Sequence, residues 1–582
     1  MGFPIPPQTI AVICVIAGLF LLFLLIAVRD ALYRKKQLTN ELRSRFGKPG
    51  RMKHSEEQLR AAGCYSAKFH NNNFRIDDIT WNDLEMDTLY ADMDTAVSFC
   101  GEEVLYDMLR TPSFSADELH RRDTLISYFA DHAEEREELQ RAFSQIGRAG
   151  RRSLWEHMEK LESLPEKSVV PFIAAALLSA ASVVLIFFHP LAGVAALVFM
   201  MILNGILHHR ENRKIENSLK ALDHIIRLIR GSEKGAGVSA SELDEYTGKM
   251  RKLSGKLSQI RRRSIALVNG SSAETGVSAL LSYFNSFFML DLISFYSVLR
   301  SIKENKETIR ELSGTAGLLD ASIAAASWRK TFSVWSVPEF SAAEDLVFNG
   351  LYHPLMRDAV PNDIDTSRSI LITGSNASGK STFLKAVTIN AILAQSICTC
   401  TAVSAKLPFF RVMTSMAVRD DLSAGRSFYM AEIRSIKRIL EQAGEKAGTE
   451  RLSDDPCSKK SGGYPLLCAL DEVLRGTNTV ERIAASSSIL QTLSQRNVLV
   501  FAATHDIELT QILKGSYRNM HFDENMTDGS ISFPYRLLEG PSGTRNAIAL
   551  LEISGFENEI TEASRKAAEH FEQTGGWESI VS

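Results

Sequence analysis

Three long apolar runs without charged residues interrupt an otherwise polar and amphipathic chain. Thr9 to Val28 is the first run, and Ser168 to Phe188 and Leu191 to Leu207 follow one another around His189-Pro190. A helix over Ser168 to Phe188 would be about 31 Å long, which matches the hydrocarbon core of a bilayer. Proline disfavours helix for the residue before it, so His189-Pro190 predicts a tight turn. The pattern favours three transmembrane spans; for the second and third runs, a pair of buried core helices is the alternative.

The charges beside these runs predict how the chain crosses the membrane. Met1 to Gln8 lacks the positive charges of a signal peptide. Basic residues follow the first and third runs, namely Arg29, Arg34, Lys35, Lys36, Arg210, Arg213 and Lys214. The positive-inside rule therefore places the start of the chain outside and both large polar regions in the cytoplasm of a multi-pass cell-membrane protein.

A fourth apolar segment, Ala279 to Leu299, contains Asn285 and Asp291. An aspartate at mid-membrane costs about 2.5–3.5 kcal/mol even on the lenient insertion scale. Crossing here would also move everything downstream to the other side of the membrane. We interpret this segment as a buried helix of the soluble part, and whether it contacts the membrane stays open.

The composition excludes a strongly basic protein and few other classes of protein. The 582 residues carry a formal net charge of −3, which gives no general signal for nucleic acid but leaves room for a local basic face. The seven cysteines are scattered, and only Cys398 and Cys400 lie close together. That spacing is weak for a metal site and favours reduced thiols in a cytosolic setting.

The strongest local motif is a glycine-rich phosphate-binding loop. The β-like run Ile370 to Ile372 leads into G-x-x-x-x-G-K-S at Gly374 to Ser381, and an apolar helical pattern follows. Backbone N–H groups of such a turn and of the helix start surround phosphates. Lys380 would reach the β- and γ-phosphates and Ser381 would ligate Mg²⁺. The predicted ATP-binding residues are Gly374, Ser375, Asn376, Ala377, Ser378, Gly379, Lys380, Ser381 and Thr382.

Two later apolar runs each end in a side chain suited to hydrolysis. The run Leu466 to Leu470 closes on Asp471 and Glu472. Asp471 at a strand end can hold the Mg²⁺ shell, and Glu472 can orient or deprotonate a water; a glutamate that merely solvates the strand end is the alternative. The next run closes on Thr504-His505, where ligands bind in parallel α/β sheets.

The order Lys380, Asp471-Glu472, His505 is that of the ABC-type ATPase class, and several segments resemble the DNA mismatch repair MutS family. The segment DDLSAGRSFYMAEI, Asp420 to Ile433, resembles the family's signature, LDEVLRGTNTVERIAAS its second acidic motif and FAATHDIEL its histidine switch. NGLYHPLMRDAVPNDI is similar to the lead-in before the phosphate loop. Asp78 to Phe129 and Glu311 to Trp328 resemble, more loosely, the start and end of the family's helical core or lever domain.

The resemblance implies an ABC-type, MutS-like α/β P-loop NTPase domain preceded by an all-α lever domain with inserted transmembrane helices. The expected domains are an N-terminal anchor over 1–30, a short linker over 31–74, core helices over 75–165, a transmembrane hairpin over 168–207, second core helices over 208–335, the ATPase over 336–570 and a tail over 571–582.

The resemblance also assigns roles to single residues. It implies a homodimer through the ATPase domains, in which Ser427 donates to the γ-phosphate of the partner's nucleotide. Asn376 would line the phosphate loop, Glu472 would position the attacking water and His505 would sense the γ-phosphate. Tyr535 falls where the family often stacks a tyrosine on adenine; an exposed strand tyrosine is the alternative.

The chain departs from the family in informative ways. Ser375 and Ala377 stand where the family usually has Pro and Met, and Phe428 replaces a small residue. Residues 29–74 are too few for a mismatch-reading domain, which must bury its own core. The glycine and serine content of Arg230 to Lys249 predicts a loop between two long helices, where the family has a DNA clamp. A basic cluster could touch DNA phosphates, a membrane surface or only solvent, and consists of Lys252, Lys256, Arg261, Arg262 and Arg263.

These patterns together predict a membrane-anchored, MutS-like ATPase that uses ATP and Mg²⁺ to open and close a dimer. Binding of DNA, including mismatched DNA in repair, is implied by the resemblance alone. An ATP-switched membrane scaffold without DNA binding is one alternative. A transporter-like ABC machine is the other, and the absence of an L-S-G-G-Q signature speaks against it.

Overall fold

Helices form the N-terminal part of the chain and mixed α/β layers form the C-terminal part, which confirms the expected fold class in this coarse form. The computed structural model describes residues 7–50, 54–69, 74–148, 153–263, 287–343, 345–356, 358–375, 378–416, 428–444, 463–527, 530–542 and 547–577.

The helices of the N-terminal part are α1 Pro7–Arg45, α2 Glu56–Phe69, α3 Asp78–Asp83, α4 Met86–Met93, α5 Phe99–Arg110, α6 Ala116–Asp131, α7 Ala133–Phe143, α8 Leu154–Ser163, α9 Val170–Phe188, α10 Pro190–Gly235, α11 Asp244–Lys256, α12 Ser258–Arg263, α13 Leu290–Glu304 and α14 Lys306–Arg329. A single 3₁₀ turn, Ser241–Leu243, precedes α11. The helices of the C-terminal part are α15 Lys380–Ile397, α16 Phe428–Gln442, α17 Thr479–Ser494, α18 Glu508–Ile512, α19 Ala547–Ile553 and α20 Asn558–Thr574.

The strands are β1 Glu339–Phe340, β2 Leu346–Leu351, β3 Asn362–Thr366, β4 Ile370–Thr373, β5 Ser404–Leu407, β6 Arg411–Ser415, β7 Leu466–Asp471, β8 Val498–Ala503, β9 Arg518–Phe522, β10 Asn525–Thr527, β11 Ser530–Ser532 and β12 Leu537–Glu539. The main sheet has the order β12-β9-β4-β8-β7-β6. All of its pairs are parallel except β12 with β9. A second sheet has the order β1-β5-β2-β3, and β10 and β11 form a hairpin.

The central strands of the main sheet are covered on both faces. Every residue of β4 and β8 is buried, and so are the first five residues of β7. Continuous apolar runs of this kind are typical of parallel strands packed between helices. The carboxyl ends of these strands therefore open at one edge, where the predicted site residues lie.

The apolar hairpin consists of α9 and the first half of α10. His189 is non-helical between the two helices, and Pro190 begins α10. The segments Val170–Phe188 and Pro190–Glu211 are long and apolar enough to cross a membrane by length and composition. Large side chains on the hairpin face outward: Leu177, Leu178, Val184, Phe187, Phe188, Leu191, Val198, Phe199, Ile202 and Ile206 are exposed.

The helix α10 does not end with its apolar half. It continues as one helix of 46 residues to Gly235, about 69 Å at the usual rise per residue. Only Ala236 to Ala240 form the connection to the next turn, so the expected loop over Arg230 to Lys249 is largely helical. A single rigid element thus joins the hairpin to the helical body.

The first predicted span lies within α1, although most of its side chains are outside the described residues. The polar end of α1 packs against α7: Arg43 pairs with Glu137, and Arg141 donates to the Thr39 hydroxyl. These contacts make α1 antiparallel to α7. The helix α1 thus runs through much of the region expected to be a short linker, and α2 occupies a further part of that region.

The helix α10 also packs on α7, and it too runs antiparallel to α7. A Cβ on Gly231 would meet Ile146, and one on Gly235 would meet Phe143 and Leu139. Since α1 and α10 both run antiparallel to α7, they run in the same direction. Their apolar N-terminal halves therefore leave the helical body on the same side.

The helix α13 covers the base of the hairpin. Its predicted membrane-averse residue, Asp291, lies 2.8 Å from His208 Nε2 on α10. Asn204 donates to Ser179 Oγ on α9 and to the Phe287 carbonyl, both at 2.8 Å. The described part of the segment Ala279 to Leu299 is thus a partly buried helix whose polar groups pair with the hairpin.

The helical body holds the far end of α15, the helix that follows the phosphate loop. Arg329, the last residue of α14, is buried and donates Nη2 to the Ile397 and Cys398 carbonyls at 3.0 and 2.9 Å. Its Nε donates to Thr399 Oγ1 at 2.7 Å, and Asp123 pairs with it at 2.6 Å. A cation here suits the negative end of the α15 dipole.

The helix α6 and the segment before it also contact the C-terminal end of α15. Arg122 donates to the Ser396 carbonyl at 2.9 Å, and the Ser113 N–H donates to the Gln395 carbonyl at 2.8 Å. The last carbonyls of a helix have no partner within it, so these donors satisfy groups that would otherwise be buried and unpaired. The α15 helix is therefore fixed to the helical body at its C-terminus.

We expect Arg329→Ala to destabilise the protein by about 3 kcal/mol, because it leaves Asp123 and two helix-end carbonyls without their buried partner. Thermal unfolding of the detergent-solubilised chain measures this as a midpoint lowered by several degrees. The matched control is Arg300→Ala, which should cost little because the Arg300 side chain is 74% exposed beside Glu304. Equal midpoints for the two variants would contradict the role given to Arg329.

Candidate active site

A cavity of about 360 Å³ opens at the carboxyl edge of the main sheet. Its wall combines the segment between β2 and β3 with the start of α15, and the lining residues are Leu351, Tyr352, His353, Met356, Asp358, Ala359, Val360, Asn362, Ser375, Ser378, Gly379, Lys380, Ser381, Thr382, Phe383, Ala386, Glu472, Phe522 and Tyr535. The predicted phosphate loop and the predicted hydrolytic carboxylate thus face one space.

The loop between β4 and α15 depends on two glycines. Gly374 has φ of 145° and Gly379 has φ of 106°, a region that other residues rarely adopt. A Cβ on Gly374 would lie 2.8 Å from the Phe522 carbonyl, so the loop also passes too close to β9 for a side chain. Lys380 then begins α15.

The side chain of Lys380 reaches into the centre of this loop. Its Nζ donates to the Gly374 and Ser375 carbonyls, both at 2.7 Å, and its side chain is nearly buried. Burial lowers the pKa of the Lys380 ammonium below its usual value. In this arrangement the lysine holds the loop together from inside, in a position from which its charge faces the cavity.

Ser378 supplies a polar atom without a partner. Its hydroxyl is buried and makes no hydrogen bond within the described part of the chain, although the residue lines the cavity. Buried polar groups are rarely left unpaired, so this hydroxyl suits a ligand with acceptor oxygens. Phosphate is such a ligand, and the helix N-terminus beside it favours negative charge.

Ser381 and Asp471, both predicted as Mg²⁺ ligands, lie together. The Ser381 hydroxyl donates to Asp471 Oδ2 at 2.5 Å. Burial raises the pKa of the Asp471 carboxyl, and the hydrogen bond from Ser381 opposes that rise. Mg²⁺ prefers one or two protein oxygens together with waters and phosphate oxygens. The hydroxyl and carboxylate fit that ion.

Glu472, the predicted hydrolytic residue, is held from two sides. Its Oε1 lies 2.8 Å from His505 Nε2, and its Oε2 lies 3.0 Å from Arg475 Nε. The hydrogen bond with His505 lowers the pKa of Glu472, so the carboxylate form is favoured. His505, predicted to sense the γ-phosphate, contacts this carboxylate in the described structure.

The backbone around Glu472 is strained. Glu472 has φ of 58° and Leu474 has φ of 59°. Left-handed conformations cost non-glycine residues about 1 kcal/mol or more each and persist where surrounding contacts enforce them. The Glu472 N–H donates to the Ala503 carbonyl at 3.0 Å, which ties this strained turn to the end of β8.

Tyr535 lies over the phosphate loop. A Cβ added to Gly379 would be 3.1 Å from Tyr535 Cδ1, and the ring also lines the cavity. The residue lies in the connection between β11 and β12 rather than in a strand, and its carbonyl accepts from Asn362 Nδ2 at 3.0 Å. This position is compatible with a base stacked on the ring; the stacking itself stays a prediction.

Three predicted site residues, Asn376, Ala377 and Ser427, lie outside the described residues. The other predicted positions converge on one edge of the sheet. Sequence reasoning missed Arg475 and Glu524 as site residues. The charged residue Arg475 stands three positions after Glu472, a spacing that could have drawn attention to it.

Glu524 contacts the phosphate loop at a position where the loop departs from the expected pattern. The Ser375 hydroxyl donates to Glu524 Oε2 at 2.7 Å, and the Glu524 side chain is buried beside β9. A carboxylate near a phosphate site repels the ligand. Ser375, which stands where the sequence comparison expected proline, supplies the hydroxyl that this contact needs.

The C-terminal part of the chain is similar in sequence to MutS proteins. The family model of MutS domain V matches residues 370–448 and 460–572, which include the phosphate loop, Asp471-Glu472 and His505. The DNA mismatch repair protein MutS of Thermus thermophilus is 29% identical over 278 residues, 47% of this chain and 31% of that protein. The MutS proteins of Fervidobacterium nodosum and Thermotoga neapolitana are 29% and 33% identical over 48% and 42% of this chain. The chain spans about a third of the length of these relatives.

We expect Glu524→Gln to tighten ATP binding about fivefold, because it removes a negative charge beside the phosphates while an amide oxygen can still accept from Ser375. Equilibrium binding of a fluorescent ATP analogue measures the change. Glu569→Gln is the control, since it removes one exposed carboxylate from α20. An unchanged or weaker affinity in Glu524→Gln would show that the carboxylate does not oppose the nucleotide.

Proposed function

We propose that this chain, which is similar to MutS proteins over its C-terminal part, is a membrane-anchored ATPase that works as a dimer. The observation that carries the proposal is that Lys380, Ser381 and Glu472 line one cavity, with Asp471 bonded to Ser381 and His505 bonded to Glu472. These groups come from the carboxyl ends of three parallel strands, where ligands bind in such sheets.

The residues divide the work of ATP hydrolysis among them. Residues Gly374 to Thr382 hold the phosphates through backbone N–H groups, and Lys380 supplies the positive charge. Ser381 and Asp471 would hold Mg²⁺, which neutralises charge on the phosphate oxygens when bound. Glu472 orients the attacking water and accepts its proton.

His505 and Arg475 restrain Glu472. Each carboxylate oxygen of Glu472 already has a partner, Arg475 on one and His505 on the other. These contacts orient the carboxylate and limit how many waters it can bind. In the proposed dimer, Ser427 of each chain reaches the γ-phosphate of its partner and completes the site. Hydrolysis then depends on association of two copies.

The exposed apolar hairpin supports anchoring in a membrane. Burying side chains such as Leu178, Phe187 and Leu191 in lipid removes from water apolar surface that no described residue covers. The helices α1 and α10 leave the body on the same side, so Thr9–Val28 and the hairpin can enter one bilayer. Three spans would leave the ATPase domain in the cytoplasm, with the chain start outside.

Two partners for the helical body are consistent with the proposed ATPase. The relatives are named for DNA mismatch repair, and DNA binding is proposed here on that basis. An ATP-switched scaffold acting on a membrane partner is the second candidate, and the hairpin inserted into the helical body favours it. ATPase stimulation at low salt by duplex, mismatched or branched DNA supports the first; its absence, with ATP-dependent dimerisation retained, supports the second.

We expect Glu472→Gln to bind ATP normally and to hydrolyse it at least about 100-fold more slowly, because the amide cannot accept a proton from water. Phosphate release and ATP affinity measure the two steps, and light scattering should show a dimer that persists with ATP. Glu481→Gln, at the exposed start of α17, is the control. Normal hydrolysis by Glu472→Gln would exclude the proposed mechanism.

We expect Leu191→Cys, at the tip of the hairpin, to react with a membrane-impermeant maleimide in intact cells, because this 88% exposed residue would lie on the outer face. Lys514→Cys, exposed on the ATPase domain, should react only after lysis. The parent chain with its native cysteines sets the background. Labelling of Leu191→Cys only after lysis would contradict a membrane-crossing hairpin.

A further inference from the structure

The turn after β7 carries the hydrolytic residue in a conformation that its own sequence does not favour. Glu472 and Leu474 both have left-handed φ, while Val473 and Leu474 are buried in an apolar cluster beneath the turn. The packing of Val473 and Leu474 in this cluster does not by itself fix the direction of the N–H groups in the turn. Some acceptor must satisfy the N–H groups that point away from the sheet.

Glu432 of α16 is that acceptor. Its Oε1 accepts from the Leu474 N–H and from the Arg475 N–H, the latter at 3.3 Å. The residue is buried, and its Oε2 has no partner within the described part of the chain. Burial raises the pKa of the Glu432 carboxyl, and the two backbone N–H groups oppose that rise.

The position of Glu432 on its helix shows that it is not a surface charge. Ile436 and Ile439, one and two turns later, are buried on the same side and belong to the cluster that contains Leu474. A leucine at 432 would fit this apolar face but would leave two backbone donors unpaired. The carboxylate therefore serves the turn and not the helix surface.

The contact reaches the hydrolytic carboxylate through Arg475. Glu432 holds the Arg475 backbone, and the Arg475 guanidinium contacts Glu472 Oε2 at 3.0 Å. His505 contacts the other oxygen from the end of β8. One side of Glu472 is thus positioned by the neighbouring strand and the other by α16.

We propose that Glu432 is a positioning residue for ATP hydrolysis, which holds the turn Glu472–Arg475 so that the Glu472 carboxylate faces the phosphate site. The inference rests on the proposed ATPase function. It makes α16 a support of the hydrolytic step, separate from the phosphate loop that binds the nucleotide. Since α16 begins directly after Ser427, the same helix follows the residue proposed to act in the partner's site.

The test compares two substitutions in the full chain. Glu432→Ala removes both acceptor contacts, and we expect kcat to fall about 10- to 100-fold, because a small displacement of a reacting group is costly. The KM for ATP and the affinity for a fluorescent ATP analogue should stay within about twofold, because no phosphate contact changes. Glu432→Gln keeps an oxygen that can accept both N–H groups and should recover most of kcat.

The control is Glu441→Ala, an exposed carboxylate on the same helix that pairs with Lys437. It should leave kcat, KM and the unfolding midpoint unchanged. A purely structural role of Glu432 would lower ATP affinity and the unfolding midpoint together with kcat, without rescue by glutamine, and that result would overturn the inference. Unchanged kcat in Glu432→Ala would overturn it as well.

The result with Glu472→Gln separates this inference from the proposed function. If Glu472→Gln loses hydrolysis and Glu432→Ala does not, only the positioning role fails. If Glu472→Gln hydrolyses ATP normally, the proposed mechanism fails first. Loss of kcat in both, with ATP affinity kept, supports both.

Discussion

The α15 helix is the element on which the rest of the arrangement depends. It begins at Lys380 inside the phosphate loop and ends under Arg122 and Arg329, two arginines of the helical body that satisfy its last carbonyls. A helix is stiff along its axis, so a shift at one end is carried to the other. Nucleotide at the loop and the arrangement of the helical body are thus joined by one rigid element whose two ends are held by different parts of the chain.

The proposed hydrolytic residue, Glu472, depends on a different set of contacts. Lys380 and the phosphate loop are built on β4 and β9, whereas Glu472 is held by β8 through His505 and by α16 through Glu432 and Arg475. We therefore expect that substitutions can disturb the proposed binding of ATP and its proposed hydrolysis separately. The strained turn at Glu472 is stable because buried acceptors and apolar packing on both sides enforce it, as is common where catalytic groups are placed.

The apolar hairpin is continuous with the helical body and not an appendage at its end. The helix α10 carries both a lipid-suited half and a half that packs on α7 and α8, and α13 pairs its polar groups with the base of the hairpin. A movement of the body would reach the hairpin without passing through a linker. This continuity gives a physical reason to consider the membrane as well as DNA as the object on which the proposed ATPase acts.

Sequence alone was sufficient for features that arise from neighbouring residues. The glycine pattern predicted the turn between β4 and α15, the apolar runs predicted strands that end beside Asp471-Glu472 and Thr504-His505, and His189-Pro190 predicted the break between α9 and α10. Each of these features depends on local conformation. The contacts that complete the site are distant in sequence. Glu524 lies 149 residues from Ser375, and Glu432 lies 42 residues from Leu474. Periodicity carries no information about such pairs, because the sequence around a glutamate is the same whether its carboxylate meets solvent or a backbone N–H. Only the packing of α16 against the main sheet and the course of the chain after β9 decided which carboxylates lie beside the proposed nucleotide site.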